Sequence, residues 1–426
     1  MPKNPFSGDN GIASRYLPAL SYHDYRAIWT ANMSAAAASW ALIVARGWLV
    51  YEISDSSLWV GVVTFAAMIP RMLVTPFTGY LSDRFNRRNV LAVMFALNLA
   101  HNLALGIIVL TGTIQIWHLV VLSLFNGSAR AAQMPAAQAL MPNLVPKRLL
   151  LNAIALNQAT NQGSRLIGPA MIAPLLATTG VESAFFLCTG FYAISLIQVL
   201  RIRTVSKGAI DMSKKLVTNL AEGFRYVYKT PLMRAITIMA LFHCGLTMSF
   251  ESLLPVLSRE QLNAEGAGFS YIMMAVGAGA LVSAMTLAGI RKEATRGRLF
   301  LYMGLLSGVT PIILGLSFNM PMALAAAAGM GASQAGFMTI THTMIQSIVP
   351  DGIRGRVAGI YSMHVGGMMA SVNLINGGLA DYVNAPVLLA VGGVIFIVIM
   401  FLSLKRVTIR QIYARGLEQE AYSAAN

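Results

Sequence analysis

The 426-residue chain is 56% hydrophobic and only 11% charged, whereas soluble globular proteins carry about 25% charged residues. Its 31 lysines and arginines outnumber 16 aspartates and glutamates, which gives a formal net charge of +15. This composition excludes an ordinary soluble enzyme, a disordered tail and a nucleic-acid-binding arm, and it predicts a polytopic membrane protein. Cys188 and Cys244 both fall in apolar runs, so we expect buried packing residues rather than a disulfide framework.

A helix that crosses a bilayer needs about 20 mostly apolar residues, and this criterion predicts twelve spans. The first six cover residues 26–51, 58–80, 90–111, 116–140, 151–177 and 183–202. The second six cover residues 232–257, 268–290, 299–317, 320–343, 357–380 and 384–404. The predicted fold class is therefore an all-α polytopic membrane protein with twelve transmembrane helices.

The basic residues outside the spans are distributed asymmetrically. They lie in or beside the segment before span one, every second loop and the tail, and only Arg259 lies in one of the intervening loops. Cytoplasmic loops carry an excess of Lys and Arg. We therefore expect both termini in the cytoplasm and a location in the plasma (inner) membrane.

The longest polar segment lies near the middle of the chain and predicts three parts. These are an N-terminal six-helix bundle at 1–202, a cytoplasmic linker at 203–231, and a C-terminal six-helix bundle with a cytoplasmic tail at 232–426. The linker has apolar residues at helical spacing, at Leu216, Leu220, Phe224 and Val227. They predict an amphipathic helix that lies on the inner membrane surface or packs on the base of the bundle.

A short pattern repeats between the two halves at a constant offset. The aligned sets are Gly79, Asp83, Arg88 and Leu91, and Gly289, Glu293, Arg298 and Leu301. The match predicts parallel halves related by an axis along the membrane normal.

The most specific motif is GYLSDRFNRR at residues 79–88, between spans two and three. It resembles the G-x-L-x-D-R-x-G-R-R/K loop signature of the major facilitator superfamily, with Asn86 in place of the usual Gly. The glycine allows two helices to approach closely, and the acid can accept hydrogen bonds at a helix N-terminus. The resemblance implies two six-helix bundles and alternating access. It also assigns a conformational latch to Gly79, Asp83, Arg84, Arg87 and Arg88.

Two further motifs match that superfamily in part. Arg130 and Gln133 in span four resemble its R-x-x-Q-G motif, with Met134-Pro135 in place of the glycine step. Gly168 and Pro169 in span five resemble the G-P-x-x-G-G antiporter motif and imply close helix packing. Ile172-Ala173 replaces the two glycines of that motif, which weakens the implication of antiport.

Other strings are similar to the bacterial efflux branch that includes the enterobactin exporter and macrolide efflux pumps. They are Tyr51-Glu52 with the following serines, the segment 135–140, and Asn152-Ala153 leading to Gly168-Pro169. This similarity implies export of an amphipathic organic compound, which is siderophore-like, drug-like or of another kind. We expect the protein to act as a monomer without a cofactor.

Charged residues inside the spans are costly, at least about 2.5–3.5 kcal/mol each at mid-bilayer on insertion scales. The four arginines at this depth are Arg46, Arg71, Arg130 and Arg165. Arg46 lies near the outer end of span one, where we expect its side chain to snorkel outward. The others either bond helix carbonyls and polar side chains or form a positive cavity for a substrate or a proton site.

Only two acids lie within the spans, Glu251 in span seven and Asp381 at the outer end of span eleven. A carboxylate in a low-dielectric site can take up and release a proton as access alternates. Glu251 is therefore the expected proton carrier, with a helix-interface hydrogen bond as its alternative. His243, two turns away, is the residue we add to a relay. Asp381 is expected to cap or gate the outer end.

By the resemblance, spans one, four, seven and ten line the central cavity. This adds a set of cavity candidates, Trp40, Phe242, Gln334 and His342. No histidine pair has the spacing of a zinc motif such as H-E-x-x-H, so no metal site is expected.

The sequence therefore predicts a secondary efflux transporter of an organic small molecule, embedded in the lipid bilayer and coupled to protons by antiport. It predicts neither an enzyme nor a nucleic-acid-binding protein. Two alternatives remain open: uptake or facilitated transport of a metabolite, and a membrane sensor or scaffold that uses the fold without transport.

Overall fold

A computed structural model describes residues 17–204, 216–288, 290, 292–350 and 353–416. The description excludes the side chains of residues 75–84, 147, 151, 216–220, 288 and 354–355. Within the described residues the regular structure is helical, and no β-strand occurs.

The described residues form twelve helices of sixteen residues or more. The first six are α1 His23–Ser54, α2 Ser57–Arg84, α3 Arg87–Leu110, α4 Ile116–Leu140, α5 Leu150–Thr178 and α6 Val181–Leu200. The second six are α7 Pro231–Leu246, α8 Gly266–Ala288, α9 Glu293–Gly315, α10 Met320–Ile348, α11 Arg354–Ala380 and α12 Ala385–Ser403. Two shorter helices are the linker helix Leu216–Lys229 and the tail helix Val407–Arg415. We call α1–α6 the first half and α7–α12 the second half.

Seven of the described helices are long and apolar enough to cross a membrane: α1, α2, α3, α6, α8, α9 and α12. The remaining long helices are shorter or more polar. They include α4 and α5, which carry Arg130 and Arg165. Two of the helices that fall short of the criterion, α4 and α5, thus each carry an arginine.

Successive long helices run in alternating directions between two ends of the molecule. We call the end that holds the start of α1 and the linker and tail helices the basal end, and the opposite end the distal end. At the basal end the Asp24 carboxylate accepts hydrogen bonds from the backbone of Arg203 and Thr204 after α6. At the distal end Gln261 donates to the carbonyl of Gly315 at the end of α9.

Helix packing in the second half repeats that of the first. The α2–α4, α3–α6 and α3–α4 pairs have counterparts in α8–α10, α9–α12 and α9–α10. The halves meet mainly through α2 against α11 and α5 against α8. The two contacts are equivalent under the repeat: α2 corresponds to α8, and α5 corresponds to α11. This equivalence is the pattern of a parallel repeat.

Apolar side chains form two separate clusters. The first contains the interior of the first half and also distal residues of the second half, including Phe250, Leu254, Phe269 and Met330. The second contains described residues of the second half, the linker helix and the tail helix, most of them towards the basal end. The halves therefore share one apolar core at the distal end. Burial of apolar surface in this shared core stabilises the contact between them.

The linker helix packs on the base of the second half, the second of the two arrangements expected for it. Val227 is buried in the second cluster and Phe224 packs against it. Glu222 forms an ion pair with Arg356 of α11, and the Tyr228 hydroxyl lies 2.6 Å from His364 Nε2.

Candidate functional site

The second half departs from a regular bundle where α7 ends. The sequence predicts a continuous span at 232–257, but α7 ends at Leu246 and the chain is non-helical up to Phe250. A short helix at Leu254–Val256 and a π-helical turn at Leu257–Gln261 follow. Glu251 therefore lies in a break in the helix.

Polar side chains satisfy the backbone groups that this break leaves free. The Thr247 hydroxyl donates to the carbonyl of His243 at 2.8 Å. Gln334 Nε2 of α10 donates to the carbonyl of Thr247 at 2.6 Å. Asn376 Nδ2 of α11 donates to the carbonyl of Ser249 at 2.6 Å. Irregular backbone at this depth is tolerated only where such partners exist, so α10 and α11 hold the segment before Glu251 in place.

Asn373 completes this support. Its Oδ1 accepts a hydrogen bond from the backbone N–H of Ser252 at 3.2 Å, and it is fully buried. The sequence reasoning missed Asn373 and Asn376. Two amides three residues apart in an otherwise apolar span are the signal that points to them.

Glu251 lies within an arginine cluster. Its side chain interacts electrostatically with Arg165, Arg46 and Arg130, in order of decreasing strength. Glu251, Arg46 and Arg165 are 9%, 4% and 8% exposed, and Arg130 is half-buried. We call these four residues the arginine–glutamate cluster. Arg46 does not snorkel to the distal end, so that expectation is wrong: its guanidinium is buried in the bundle.

The charges of this cluster are only partly satisfied. Arg46 Nη1 and Arg165 Nε are buried and have no hydrogen-bond partner among the described residues. Among the residues described, no hydrogen bond or ion pair links Glu251 to the three arginines. Buried charges are costly unless they are paired. The cluster therefore has free capacity to bind a polar ligand or a proton.

Arg165 lies at the contact between the two halves. Its guanidinium lies over the Trp40 ring of α1, 4.8 Å from the ring centroid, a cation–π arrangement. In a regular helix the Arg165 carbonyl would accept a hydrogen bond from the N–H of residue 169. That residue is Pro169, which has no N–H, so this helical hydrogen bond is missing. Gly277 of α8 packs against that carbonyl so closely that a Cβ there would lie 2.5 Å from its oxygen.

Gly168 and Pro169 bring three helices together. A Cβ on Gly168 would lie 2.5 Å from the carbonyl oxygen of Ala37 in α1. The Pro169 carbonyl accepts a hydrogen bond from Ser270 Oγ of α8 at 2.6 Å. This pair therefore joins α5 to α1 in its own half and to α8 in the other half.

Arg71 of α2 faces the second half. Its Nη2 lies 3.4 Å from Ser362 Oγ of α11, and its side chain packs on Gly366. Its charge also acts on His342 and Tyr361. The rings of His342 and Tyr361 are 4.9 Å apart. Arg71 is also close enough to Arg130 for their like charges to repel.

The remaining cavity candidates have different environments. Gln133 is half-buried and Gln334 is fully buried. In the part of the chain that the structure describes, neither Gln133 Oε1 nor Gln334 Oε1 has a hydrogen-bond partner. Phe242 is 40% exposed. His243 is fully buried in the second half.

The contacts of His243 are all with residues of the second half. Its Nε2 lies 2.9 Å from Ser307 Oγ, and its ring stacks on Phe337 with a centroid distance of 4.3 Å. The described contacts of His243 do not include Glu251, so the structure does not bring the two together as a direct relay.

Asp381 links the halves at the distal end. Its carboxylate accepts hydrogen bonds from the Ser57 N–H at 2.8 Å and the Ser56 hydroxyl at 2.6 Å, and the Leu58 N–H lies 3.4 Å away. The acid that directly follows α11 thereby caps the N-terminus of α2, where the helix dipole favours negative charge.

A second distal contact joins α1 to the π-helical turn. The Tyr51 hydroxyl donates to Glu260 Oε1 at 2.9 Å. Arg259 pairs with Asp55 at 3.1 Å, and its guanidinium lies 5.6 Å from the centre of the Tyr51 ring. This polar network lies beside the shared apolar core.

The basal loop between α2 and α3 is described in part. The side chains of Gly79, Asp83 and Arg84 lie outside the described residues. Arg87 Nη1 donates to the carbonyl of Ala139 at 2.8 Å, and Arg88 Nη2 donates to the carbonyl of Leu200 at 2.7 Å. These arginines bind the C-terminal ends of α4 and α6, where cations are favourable.

Asn86 explains one departure from the superfamily motif. Its side-chain oxygen accepts a hydrogen bond from the backbone N–H of Arg88 at 3.1 Å and caps α3. Asparagine is a preferred N-cap residue. The substitution of Gly by Asn therefore supplies a helix cap.

Both cysteines are free and buried, as expected. In the described part of the chain, no group of three or more His, Cys, Asp or Glu side chains is placed to hold a metal ion.

Comparison with known proteins gives matches over nearly the whole chain. A family model described as "transmembrane secretion effector" matches residues 13–423. The multidrug efflux pump Tap of Mycolicibacterium fortuitum is 25% identical over 338 residues, covering 78% of this chain and 82% of Tap. The staphyloferrin A transporter of Staphylococcus aureus (strain NCTC 8325 / PS 47) is 21% identical over 331 residues, covering 77% and 82% of the two chains.

Solved structures show the same fold. A POT family transporter in complex with 5-aminolevulinic acid has a TM-score of 0.74 at 12% identity, covering 90% of this chain and 96% of the other. The nucleoside transporter NupG has a TM-score of 0.69 at 11% identity, covering 89% and 98%. The chain belongs to the transmembrane secretion effector family of the major facilitator superfamily, and it is a multi-pass membrane transporter of small molecules rather than an enzyme.

Proposed function

We propose that the protein exports an organic small molecule across the plasma (inner) membrane in exchange for protons, by alternating access of its two halves. In this proposal twelve helices span the bilayer and the chain acts as a monomer. The basal end, with both termini, faces the cytoplasm. The basic loops support this orientation, since cytoplasmic loops are enriched in Lys and Arg.

The arginine–glutamate cluster is the observation that carries the proposal. Three arginines come from α1, α4 and α5, whereas the acid comes from the broken segment after α7. A movement of one half relative to the other therefore changes the distance between the acid and the arginines. Because electrostatic energies at low dielectric are large, such a movement is coupled to the charge that the cluster holds.

Glu251 is the proposed proton carrier. As a carboxylate it offsets part of the positive charge of the three arginines, and it can accept a hydrogen bond from a donor or cationic group of the substrate. A proton on Glu251 removes its negative charge and turns one of its oxygens into a donor, which weakens binding of such a group and makes the cluster more positive. Proton and substrate then compete for one group, so that the site carries one of them in each direction and exchanges them across the membrane.

The proposed substrate pathway includes Trp40, Arg71, Arg130, Gln133 and His342. Trp40 offers an aromatic face beside Arg165, and Gln133 has an unpartnered buried oxygen. We place Gln334 and His243 in supporting positions, because Gln334 holds the broken backbone and His243 packs within the second half. Phe242, which is partly exposed, is included as an apolar contact.

Asp381 is the proposed distal gate, since it caps α2 from the other half. The basal loop of Gly79, Asp83, Arg84, Arg87 and Arg88 is the proposed latch. Arg87 and Arg88 anchor it to the ends of α4 and α6.

Transport by the purified protein in proteoliposomes tests this function. The probes are ethidium, rhodamine 6G and carboxyfluorescein, each measured with and without an imposed pH gradient and with a pH dye reporting proton flux. We expect at least one probe to move against a proton flux in the wild type. Glu251→Gln should abolish the effect of the gradient while leaving the protein folded.

Glu265→Gln is the matched control, because Glu265 is exposed at the start of α8. It should retain the wild-type response to the gradient. Proton flux in the same direction as the probe would identify a symporter and contradict the exchange mechanism. Absence of transport for every probe would contradict the proposed export of amphipathic compounds.

A further inference from the structure

A polar pocket at the basal end lies outside the proposed transport pathway. It is formed where α1 and α3 begin and α6 ends, and its volume is about 710 Å³. The lining residues are His23, Arg88, Leu200, Arg201, Ile202 and Arg203. Three arginines and a histidine thus line an open cavity at the ends of these helices.

Hydrogen bonds to the backbone fix the shape of this pocket. Arg88 Nη2 donates to the Leu200 carbonyl at 2.7 Å, which joins α3 to the end of α6. Asp24 Oδ2 accepts the N–H groups of Arg203 and Thr204, at 3.1 and 2.9 Å. The Asp24 carboxylate thereby holds the chain after α6 against the start of α1.

Two arginines of the pocket are available to a ligand. Arg201 and Arg203 are exposed. Their guanidinium groups form no hydrogen bond or ion pair with the residues described. The nearby Asp24 carboxylate binds the backbone of Arg203 and not its side chain. Guanidinium groups bind phosphate oxygens in a bidentate manner. The chemistry of the pocket therefore fits a phosphate group.

An apolar strip continues from the pocket along the outside of the bundle. Ile194, Ile197 and Leu200 on α6 are 43%, 51% and 52% exposed, and Val93 on α3 is 53% exposed. The three α6 residues recur at a spacing of three, so they lie on one side of the helix. A ligand with an anionic head and hydrocarbon chains matches both the pocket and the strip.

We propose that this pocket binds the phosphate headgroup of an anionic phospholipid, with the acyl chains lying along the strip on α3 and α6. Basic pockets at helix ends bind anionic headgroups in this way. The proposal is independent of the transported substrate and of the role of Glu251.

Native mass spectrometry of the full-length protein, titrated with phosphatidylglycerol or phosphatidylcholine, tests the site. We expect one phosphatidylglycerol to bind in preference to phosphatidylcholine. The double variant Arg201→Gln, Arg203→Gln should weaken the binding of phosphatidylglycerol about 30-fold. Each basic residue near the headgroup contributes roughly 1 kcal/mol, and two are removed.

The matched control is Arg298→Gln, Arg410→Gln, which removes one exposed arginine near the start of α9 and one on the tail helix. It should leave the affinity unchanged. An equal loss in both double variants would show binding to the general basic surface and overturn the proposal. Equal affinity of the wild type for the two lipids would overturn it as well.

Inorganic phosphate distinguishes a lipid from a soluble anion. We expect millimolar phosphate to leave the bound phosphatidylglycerol in place, because the strip contributes to lipid binding. Complete displacement would assign the pocket to a soluble phosphate compound instead. Thermal unfolding of each variant checks that the substitutions leave the fold intact.

Discussion

The two ends of the bundle differ in how the halves share their apolar side chains. At the distal end, Phe250, Phe269 and Met330 of the second half belong to the same apolar cluster as the first half. Towards the basal end, the second half has its own cluster, which contains no residue of the first half. The halves are therefore held together distally by a common core and keep separate cores basally.

This difference shows which contacts must break for access to alternate. The distal contact is reinforced by close backbone approach, since Gly377 of α11 lies against Ser57 and Gly61 of α2. Asp381 and the Tyr51–Glu260 hydrogen bond add polar contacts beside it. Opening the distal end must expose apolar area and break these bonds, whereas each basal core can move with its own half.

The largest expected effect comes from placing a side chain in the distal backbone contact. A Cβ on Gly377 would lie 2.5 Å from the carbonyl oxygen of Ser57 and 2.8 Å from Cα of Gly61. Gly377→Ala should therefore push α2 and α11 apart at the distal end, at a cost of about 1–3 kcal/mol. Hydrogen–deuterium exchange should show faster exchange in the distal halves of both helices, with an equilibrium shift of roughly 5- to 150-fold.

Gly359 supplies a control on the same helix. A Cβ there meets no atom within 4 Å, and the residue lies in the basal half of α11. Gly359→Ala should leave exchange at the distal end unchanged. Equal acceleration in the two variants would contradict a distal joint that is tighter than the basal region.

A smaller effect is expected at the acid that caps α2 from the other half. Asp381→Ala removes the acceptor of the Ser57 N–H and the Ser56 hydroxyl, and loss of an N-cap costs about 0.5–2 kcal/mol. Distal exchange should increase about 2- to 30-fold. Asp381→Asn, which keeps a side-chain oxygen, should recover part of the protection against exchange. Identical distal exchange in the wild type and Asp381→Ala would exclude a distal gating role for Asp381.

The membership of the arginine–glutamate cluster was largely predictable from the sequence, because a charged residue in an apolar span has a clear physical requirement. Arg130 and Arg165 stand out because arginine in an apolar span must have a partner or a cavity. Glu251 stands out as an acid within a span for the same reason. The electrostatic interaction of Glu251 with both arginines was not predictable, because it joins helices that are distant in sequence.

The sequence predictions were wrong where local pattern and tertiary structure disagree. Hydropathy continues through 232–257, yet α7 ends at Leu246, since Gln334, Asn373 and Asn376 of other helices satisfy the freed backbone. Arg46 is close to the end of its span, which predicts snorkelling, but packing buries its guanidinium. Neither outcome depends on residues near in sequence.

The smallest effect is expected at the exposed ion pair of the distal end. The side chains of Arg259 and Asp55 are 48% and 78% exposed, and exposed pairs contribute about 0.2–1 kcal/mol, less at high salt. Arg259→Gln should therefore raise distal exchange less than about 5-fold at low ionic strength and leave it unchanged at 1 M salt. Tyr51→Phe, which loses a partly buried hydrogen bond to Glu260, should have an effect that salt does not remove. The opposite result is an effect of Arg259→Gln that persists at 1 M salt and an effect of Tyr51→Phe that salt removes. It would show that the distal contact depends on its surface charges more than on its shared core.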